Sequence, residues 1–437
     1  MVSFALGTDT AGSGRVPASF NNLVGFKPTR GLLSARGVVP ACRTLDCVSI
    51  FALNTSDAAQ VFRVAMGFDG EDPFSRAMPN ARPRLAHAQH VRIGVPRAED
   101  LVFFNDRESE ELFNSSISAL EVIGARIERV DMTPFYETAR LLYEGPWVAE
   151  RYAAIRSFIE RKPAAMHPVV RAIIEPAIKR TAVDTFEAQY RLAALKRQAD
   201  NVLSGIDALL TPTTPTIYTI QQLLTDPISL NSNLGVYTNF VNLLDLSAVT
   251  VPTGFRRNGL PHGVTLCALA FHDHALLDLA QRLQSSLHLP LGTARTPYRD
   301  ISLPEIAYDD VAVVVCGAHM SGLPLNSQLI ELGATLACRT QTAPRYRLHA
   351  LTAFNPERPG LIRDEIHGVA IDVEVWNLPA CQLGAFFRRI PAPLTLGRVE
   401  LEDGRRECGF LCEAYALNDA VDISKFGGWR GYLAALH

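Results

Sequence analysis

From the first residue to about residue 300, short apolar runs alternate with longer amphipathic stretches, and this alternation restricts the fold more than any other feature. VRIGVP at 91–96 has the composition of a buried strand, whereas the apolar residues of 106–125 and 186–205 recur at helical spacing. DALLTPTTPT at 207–216 predicts another buried strand, which its prolines stop. Strands and helices in alternation predict an α/β fold, with a sheet covered by helices.

The chain has 437 residues, enough for two cores, and a change of pattern marks where the first one ends. Residues 290–310 are rich in proline and polar residues without a sustained period, which predicts a linker at 296–310. Beyond it, apolar or alternating runs are separated by Gly and Asp-Gly, which predicts a small, mainly β domain with one or two helices at 311–437. The first domain is then 1–295.

Charge and composition argue against several classes of partner. A net charge of −3 and a pI of about 6.4 lack the basic excess that attracts nucleic acid or an anionic membrane. No apolar run approaches the ~20 residues of a spanning helix, and the N-terminus lacks the pattern of a signal peptide, so we expect a cytoplasmic protein. The eight cysteines form no CxxC pair, and Cys408 and Cys412 are expected to be buried thiols of one strand. Neither a metal nor a disulfide is predicted.

A segment of small residues near the N-terminus, GTDTAGSGRVPA at 7–18, surrounds a single serine, Ser13. Its glycines allow a tight bend that leaves backbone N–H groups pointing into one cavity. In such a turn the serine hydroxyl can attack a carbonyl while the N–H groups of Thr10, Ala11 and Gly12 stabilise the negative charge that develops. The same composition also fits a purely structural turn, and the segment alone does not decide between the two.

The continuation of that segment, GTDTAGSGRVPASFNNLVGFKPTRG, resembles the signature of the amidase family along its whole length. Later segments that resemble the same family lie at 37–52, 207–216, 246–255 and 259–266. The resemblance covers essentially all of residues 1–300 and implies a mixed sheet flanked by helices. It also implies that Ser13 is the nucleophile of a Ser–cis-Ser–Lys triad, in which a neutral lysine takes the proton through a bridging serine.

Only the nucleophile of this triad is matched within the sequence. The bridging serine and the lysine are expected upstream of Met1, so the 437-residue chain alone is expected to hydrolyse amides poorly and to aggregate readily. Lys27 is the lysine nearest to Ser13, but its GFKPTRG setting is structural in the family, which makes it a weak candidate for the base. Asp9 and Arg15 flank the nucleophile and are expected to form an ion pair that fixes the loop.

The stretch LLYEGPWVAERYAAI at 141–155 resembles the segment with which the allophanate hydrolases of this family hold their small anionic substrate. The resemblance implies that Tyr143 and Arg151 bind the substrate. Eight residues apart on one helix, the two side chains are expected on nearly the same face, where a guanidinium can pair with a carboxylate through two hydrogen bonds. An ordinary amphipathic helix with a surface arginine and a core tyrosine is the alternative.

The region after the linker resembles the domain that follows the amidase in allophanate hydrolases, which is itself similar to the γ-glutamylcyclotransferase fold, a small β-barrel-like body. The segments that carry this resemblance are VVCGAHMSGLPLNSQLIELGA, TAPRYRLHAL, VEVWNLP and DISKFGGWRGYL. In the family, this domain is implicated in decarboxylating N-carboxycarbamate, the product of the amidase. The resemblance therefore implies a second reaction in the same chain.

The resemblance makes His319 the leading catalytic candidate of this domain, in the turn CGAHMSG after its first strand. A histidine can donate a proton near neutral pH, although a turn histidine that only bonds the backbone is the alternative. Glu374 is a weaker candidate that also fits the solvent side of a strand. Arg345 and Arg347 are either surface residues or anion contacts.

Together, these resemblances imply an allophanate hydrolase that releases ammonia and carbon dioxide at the end of ATP-dependent urea breakdown. A functional link to urea carboxylase, a homodimer formed by the amidase domain and the absence of a cofactor are expected. Two alternatives stay open. One is an amidase of another specificity, and the other is a non-catalytic fragment, because the lysine and the second serine are expected outside the sequence.

Overall fold

The structure, a computed structural model, describes residues 2–79, 91–301, 303, 309–351, 354, 356–418 and 420–436. The described residues up to 303 form one compact unit, the first unit, and those from 309 onwards form the second unit. The division falls inside the segment 296–310, where the composition predicts a linker. Across the described residues, no helix combines the length and the apolar character that crossing a bilayer requires.

The first unit is built around an eight-stranded mixed sheet. Its strands are β1 Phe4–Thr8, β2 Val24–Lys27, β3 Val48–Ala52, β4 Arg92–Pro96, β5 Arg126–Val130, β6 Ala208–Pro212, β7 Leu246–Phe255 and β8 Pro261–Leu269. They lie in the order β1-β3-β2-β7-β8-β6-β4-β5. Strand β4 pairs in parallel with β5 and β6, whereas the pairings that join β1, β3, β2, β7, β8 and β6 are antiparallel.

Helices flank this sheet, which confirms the predicted α/β class. They are α1 Val16–Phe20, α2 Thr55–Ala65, α3 Arg107–Val122, α4 Thr133–Glu144, α5 Trp147–Arg161, α6 Pro168–Ile174, α7 Ala182–Ser204, α8 Ile220–Thr225, α9 Ser229–Leu234, α10 Phe240–Leu243 and α11 Asp273–Leu287. Helix α3 begins where the Asp106 side chain accepts a hydrogen bond from the Ser109 N–H. Helix α7 begins earlier than its apolar pattern predicts, because Thr181 and Asp184 form a capping box.

The segment at 141–155 is two helices, so the prediction that Tyr143 and Arg151 share one helix is wrong. Helix α4 ends at Glu144 and α5 begins at Trp147. Between them, Gly145 is extended, with ψ −170°, and Pro146 has no N–H to donate to the preceding turn. A proline disfavours the helical conformation of the residue before it, which accounts for the break.

The second unit is mainly β, as predicted, and its described residues include three short helices instead of the predicted one or two. Its elements are β9 Asp310–Val315, α12 Asn326–Glu331, β10 Thr335–Gln341, β11 Tyr346–Leu351, β12 Arg358–Arg363, β13 Asp372–Pro379, α13 Leu383–Phe387, β14 Leu394–Glu400, β15 Arg406–Cys412, β16 Val421–Asp422 and α14 Trp429–Ala435. The strands form two sheets, β10-β13-β9-β15-β14 and β12-β11-β16. Cys408 and Cys412 lie on β15 as free thiols, but they are half-buried instead of fully buried, because that strand is only partly covered at these positions.

Candidate active site

Ser13 lies in the turn between β1 and α1, with an exposed side chain between two buried glycines. Gly12 has φ +140°, and a Cβ at this position would lie 2.5 Å from Thr238 Oγ1. At Gly14, a Cβ would lie 2.2 Å from Ser49 Oγ. Both positions therefore require glycine, and the tight packing on either side leaves Ser13 as the accessible side chain of the turn.

Replacing Gly12 by alanine is expected to lower the free energy of unfolding by about 1–3 kcal/mol, because the backbone conformation and the Thr238 side chain both resist a Cβ. Urea denaturation of the variant measures the loss. Gly37→Ala is the matched control, since Gly37 has φ +83° but nothing within 4 Å of an added Cβ. Equal losses in the two variants would show that contact with Thr238 does not constrain the turn.

The backbone N–H groups of residues 10–13 donate no hydrogen bond to any part of the chain that the structure describes. The Gly12 carbonyl, by contrast, accepts from Arg15 N at 2.9 Å and from Val16 N at 2.8 Å. Unpaired N–H groups beside an exposed serine hydroxyl are what an oxyanion hole requires. The role of Thr10, Ala11 and Gly12 in such a hole stays a prediction.

A buried ion pair holds the turn together, which confirms the expected pairing of Asp9 with Arg15. Both side chains are 0% exposed, and the guanidinium contacts the carboxylate twice, through Nε at 2.8 Å and through an η nitrogen at 3.0 Å. The carboxylate also accepts a hydrogen bond from Gly14 N at 3.1 Å. Burial opposes ionisation, yet the charge and hydrogen bonds of Arg15 hold the pKa of Asp9 below its usual value.

Two residues near α10, which sequence reasoning did not identify, complete this network. The Thr238 carbonyl accepts two hydrogen bonds from Arg15, each at 3.2 Å, across 223 positions of sequence. Asn242 Oδ1 accepts a third at 3.3 Å, while Asn242 Nδ2 donates to the Asp9 carbonyl at 2.7 Å. On the other side of the turn, Thr10 Oγ1 donates to Asp46 Oδ1 at 2.5 Å. No motif in the local sequence predicts these distant contacts.

Ser13 opens onto a cavity of about 480 Å³. Its lining residues include Ala11 and Gly12 of the turn, Tyr143, Asn231 and Asn239. None of the described residues that line it is a lysine, arginine, aspartate or glutamate. The structure thus brings the predicted nucleophile and Tyr143 to one cavity, large enough for a small substrate.

Arg151 contacts the ring of Tyr143, which lines this cavity, but does not line the cavity itself. Its guanidinium carbon lies 5.1 Å from the centre of the Tyr143 ring, in a cation–π contact, and Arg151 is not among the residues that line the cavity. Its Nε is buried without a hydrogen-bond partner in the described part of the chain. The neighbouring Glu150 fixes the start of α5 by accepting from Thr44 N at 2.5 Å and from Thr44 Oγ1 at 2.8 Å. The two predicted binding residues are therefore adjacent, although they lie on two helices.

Lys27 is fully buried, and its Nζ donates to the Pro28 carbonyl at 2.8 Å. This backbone contact favours a structural role for the Lys27 side chain. It gives no support to Lys27 as the base that activates Ser13.

In the second unit, His319 is 7% exposed and packed between aromatic rings. Its ring stacks on Phe410 at 5.1 Å between ring centres and meets the edge of Phe386 at 5.3 Å. Nε2 lies 3.1 Å from Gln328 Oε1, a contact that favours the tautomer with the proton on Nε2. Burial lowers the pKa of His319 to about 4. Burial therefore favours the neutral imidazole, and the role of His319 as a proton donor stays a prediction.

The sequence also allowed Glu374 to face solvent. That alternative is wrong, because its side chain is 0% exposed. The carboxylate accepts from Ser321 N at 2.6 Å and from Ser321 Oγ at 3.0 Å, with Arg339 Nε at 3.2 Å. Burial opposes its ionisation, but these hydrogen bonds hold the pKa of Glu374 below its usual value. It fixes the loop that follows His319.

Arg345 and Arg347 are both occupied by carboxylates of their own unit. Arg345 lies 3.7 Å from Glu365 and 3.9 Å from Glu400. Arg347 pairs with Asp422 and lies 3.8 Å from Asp364. These pairs favour a structural role over contact with a bound anion.

Comparison with known proteins gives matches along the whole chain. Residues 1–277 match the Amidase family, and residues 311–434 match the family described as the allophanate hydrolase C-terminal domain. A urea amidolyase of Saccharomyces cerevisiae is 42% identical over 454 residues, which cover 100% of this chain and 24% of that protein. The structure of Kluyveromyces lactis allophanate hydrolase matches with a TM-score of 0.83 at 40% identity, covering 100% of this chain and 73% of that one. The K. lactis urea amidolyase structure has a TM-score of 0.81 and is covered to 27%. The chain thus spans about a quarter of the urea amidolyases.

Proposed function

Because the chain belongs to the amidase family and carries an allophanate hydrolase C-terminal domain, we propose that it hydrolyses allophanate, with Ser13 as the acyl-transfer nucleophile. One observation carries this proposal. Ser13 is exposed in a turn where the N–H groups of residues 10–13 have no hydrogen-bond partner among the described residues, and it opens onto the cavity that Tyr143 lines. The similarity to an allophanate hydrolase along the entire chain supports the choice of substrate.

In the first reaction, Ser13 Oγ attacks the amide carbon of allophanate, and the negative charge that develops on its oxygen is stabilised by the N–H groups of Thr10, Ala11 and Gly12. The lysine of the family takes the hydroxyl proton through the bridging serine and delivers a proton to the departing nitrogen. The C–N bond breaks and ammonia leaves. Water then hydrolyses the acyl-enzyme, which frees Ser13 and releases N-carboxycarbamate.

In the second reaction, N-carboxycarbamate loses carbon dioxide. The bond between the nitrogen and one carboxylate carbon breaks, its electron pair stays on nitrogen, and a proton adds there to give carbamate. Carbamate then yields the second ammonia and the second carbon dioxide. We assign this step to the second unit, where His319 stands in the turn after β9.

We propose that Tyr143 and Arg151 bind the substrate carboxylate. Tyr143 lines the cavity, and the guanidinium of Arg151 lies against its ring, one aromatic ring away from the space beside Ser13. The only formal charge that allophanate offers is its carboxylate, and a partly unpaired guanidinium is the matching group.

The test compares allophanate with biuret, in which a neutral carboxamide replaces the carboxylate. The enzyme for this assay contains the present sequence together with the lysine and second serine of the family, and ammonia release gives kcat/KM for each compound. We expect a strong preference for allophanate. Equal rates for the two compounds would favour an amidase of another specificity, and no hydrolysis of either would refute the proposed function.

In the same enzyme, Arg151→Lys is expected to raise the KM for allophanate about 10- to 100-fold and to leave biuret unaffected. The lysine keeps the charge but loses the planar fork that pairs twice with a carboxylate. Arg156→Lys is the matched control, since Arg156 lies on the same helix and pairs with the exposed Glu160. An unchanged KM in the Arg151 variant would remove this residue from the site.

The name shared by the urea amidolyases also supports the inference that a urea carboxylase supplies the allophanate. A homodimer formed by the first unit stays a prediction.

A further inference from the structure

Residues 41–46, which we call the bracket loop, contact both the turn of Ser13 and helix α5. The loop closes on itself, because the N–H groups of Leu45 and Asp46 both donate to the Cys42 carbonyl at 2.8 Å. The Asp46 carboxylate in turn accepts from Cys42 N at 3.1 Å. These local hydrogen bonds give the loop one defined shape, so it can hold the two elements that it contacts at a fixed separation.

The first contact of the bracket loop is with the turn of the nucleophile. Asp46 Oδ1 accepts the hydrogen bond from Thr10 Oγ1 at 2.5 Å. Beside it, Asn242 Nδ2 donates to the Leu45 carbonyl at 2.9 Å and to the Asp9 carbonyl at 2.7 Å. The loop therefore fixes the position of Thr10, whose N–H group is among those predicted to stabilise the oxyanion.

The second contact is with the first turn of α5, through Glu150. Its carboxylate accepts from Thr44 N at 2.5 Å, from Thr44 Oγ1 at 2.8 Å and from Cys42 Sγ at 3.1 Å. Within the described part of the chain, these are all the hydrogen bonds that Glu150 accepts. Burial and the charge of Glu150 raise the pKa of Cys42, so the thiol keeps its proton and donates it. One carboxylate with three donors on one loop fastens α5 to that loop.

Apolar packing reinforces both contacts. Cys42 and Leu45 of the bracket loop belong to one buried cluster with two leucines of α4, the helix that carries Tyr143. Ala11 of the turn and Trp147 of α5 pack against the same cluster. The turn, α4 and α5 thus share the bracket loop as a common support.

We propose that Glu150 is a positioning residue for recognition of the substrate carboxylate, because it fastens Arg151 to the loop that also holds the turn of Ser13. Arg151 follows Glu150 directly in the chain, and its guanidinium carbon lies 5.1 Å from the centre of the Tyr143 ring. A movement of Glu150 therefore moves the guanidinium relative to the nucleophile. This inference rests on the proposed function for the identity of the substrate, whereas the connection between Glu150 and the loop does not depend on it.

Glu150→Gln tests the proposal in the enzyme of the allophanate assay. The amide keeps the shape of the side chain but loses its charge, and it places a donor where the loop offers only donors. We expect the KM for allophanate to rise about tenfold. The kcat is expected to stay unaltered, because Arg15 and Asp46 still hold the turn, and hydrolysis of biuret should not change. A purely structural role would lower kcat for both compounds.

A double variant shows whether Glu150 acts through Arg151. Glu150→Gln combined with Arg151→Lys is expected to have the KM of Arg151→Lys alone, since a guanidinium that is absent cannot be displaced. Glu160→Gln is the matched control, because Glu160 lies on the same helix and pairs with the exposed Arg156. It is expected to keep the KM of the unaltered enzyme. In an enzyme that hydrolyses allophanate, an unaltered KM in Glu150→Gln, or fully additive effects in the double variant, would overturn the proposal.

Hydrogen exchange tests the connection without catalysis, in the 437-residue chain itself. In Glu150→Gln, exchange of the Thr44 N–H is expected to be about two- to tenfold faster, because its charged acceptor is lost. Glu160→Gln should leave this rate unaltered. Equal exchange in the two variants would refute the role of Glu150, whether or not allophanate is hydrolysed. Failure of the unaltered enzyme to hydrolyse allophanate would refute the proposed function instead.

Discussion

Replacing Ser13 by alanine is expected to lower the turnover of allophanate by roughly 10⁴- to 10⁶-fold, in an enzyme that contains this sequence with the lysine and second serine of the family. The change removes the oxygen that forms the acyl-enzyme. The residual rate reflects the N–H groups of the turn and substrate binding, which the substitution leaves in place. Ammonia release under saturating allophanate measures the loss.

The stability of this variant is expected to be unaltered, because the Ser13 side chain is exposed and the turn is held by other residues. Ser115→Ala is the matched control, since Ser115 is an exposed serine of α3 whose hydroxyl donates to the Glu111 carbonyl. It should retain full turnover. Loss of less than about tenfold in the Ser13 variant would refute its assignment as the nucleophile.

Arg15→Met is expected to lower the free energy of unfolding by about 3–5 kcal/mol, the largest effect on stability that we predict. It leaves the fully buried Asp9 carboxylate without its counter-charge, and it leaves the Thr238 carbonyl and Asn242 without their donor. Denaturant unfolding of the chain, followed by circular dichroism, measures the difference.

Two further variants identify the cause of that loss. The double variant Asp9→Asn with Arg15→Met should recover part of the stability, since no unpaired charge stays buried. Arg156→Met breaks the exposed pair with Glu160 and should leave the unfolding midpoint nearly unaltered. A single Arg15 variant as stable as the Arg156 variant would mean that the buried pair does not hold the turn.

The sequence predicts the structure correctly where the contacts join residues that are close along the chain. The small residues around Ser13 predict the turn. The close contacts that a Cβ at Gly12 or Gly14 would make with Thr238 and Ser49 confirm that both positions require glycine. The ion pair of Asp9 with Arg15 also joins near neighbours in sequence. The alternation of strands and helices predicted the layers of the first unit for the same reason.

The sequence predictions are wrong where two local signals conflict or where no local signal exists. Helical spacing alone predicts one helix for Tyr143 and Arg151, whereas the Gly145-Pro146 pair, visible in the same sequence, separates α4 from α5. The burial of Glu374 could not be predicted, because strand alternation does not reveal that Ser321 and Arg339 would supply hydrogen bonds. The contacts of Thr238 and Asn242 with Arg15 likewise have no signature in either segment.

Two acceptors of Arg15 lie 223 and 227 positions further along the chain, and this separation governs when the turn takes shape during synthesis. The segment around Ser13 leaves the ribosome well before these two acceptors, with a cation and an anion that have no completed surroundings. At about 5–20 residues per second, the residues that enclose the pair follow after roughly 10–50 seconds. Throughout that interval the nascent serine sits in an unformed loop, so a reactive centre is assembled only as translation of the first unit nears its end.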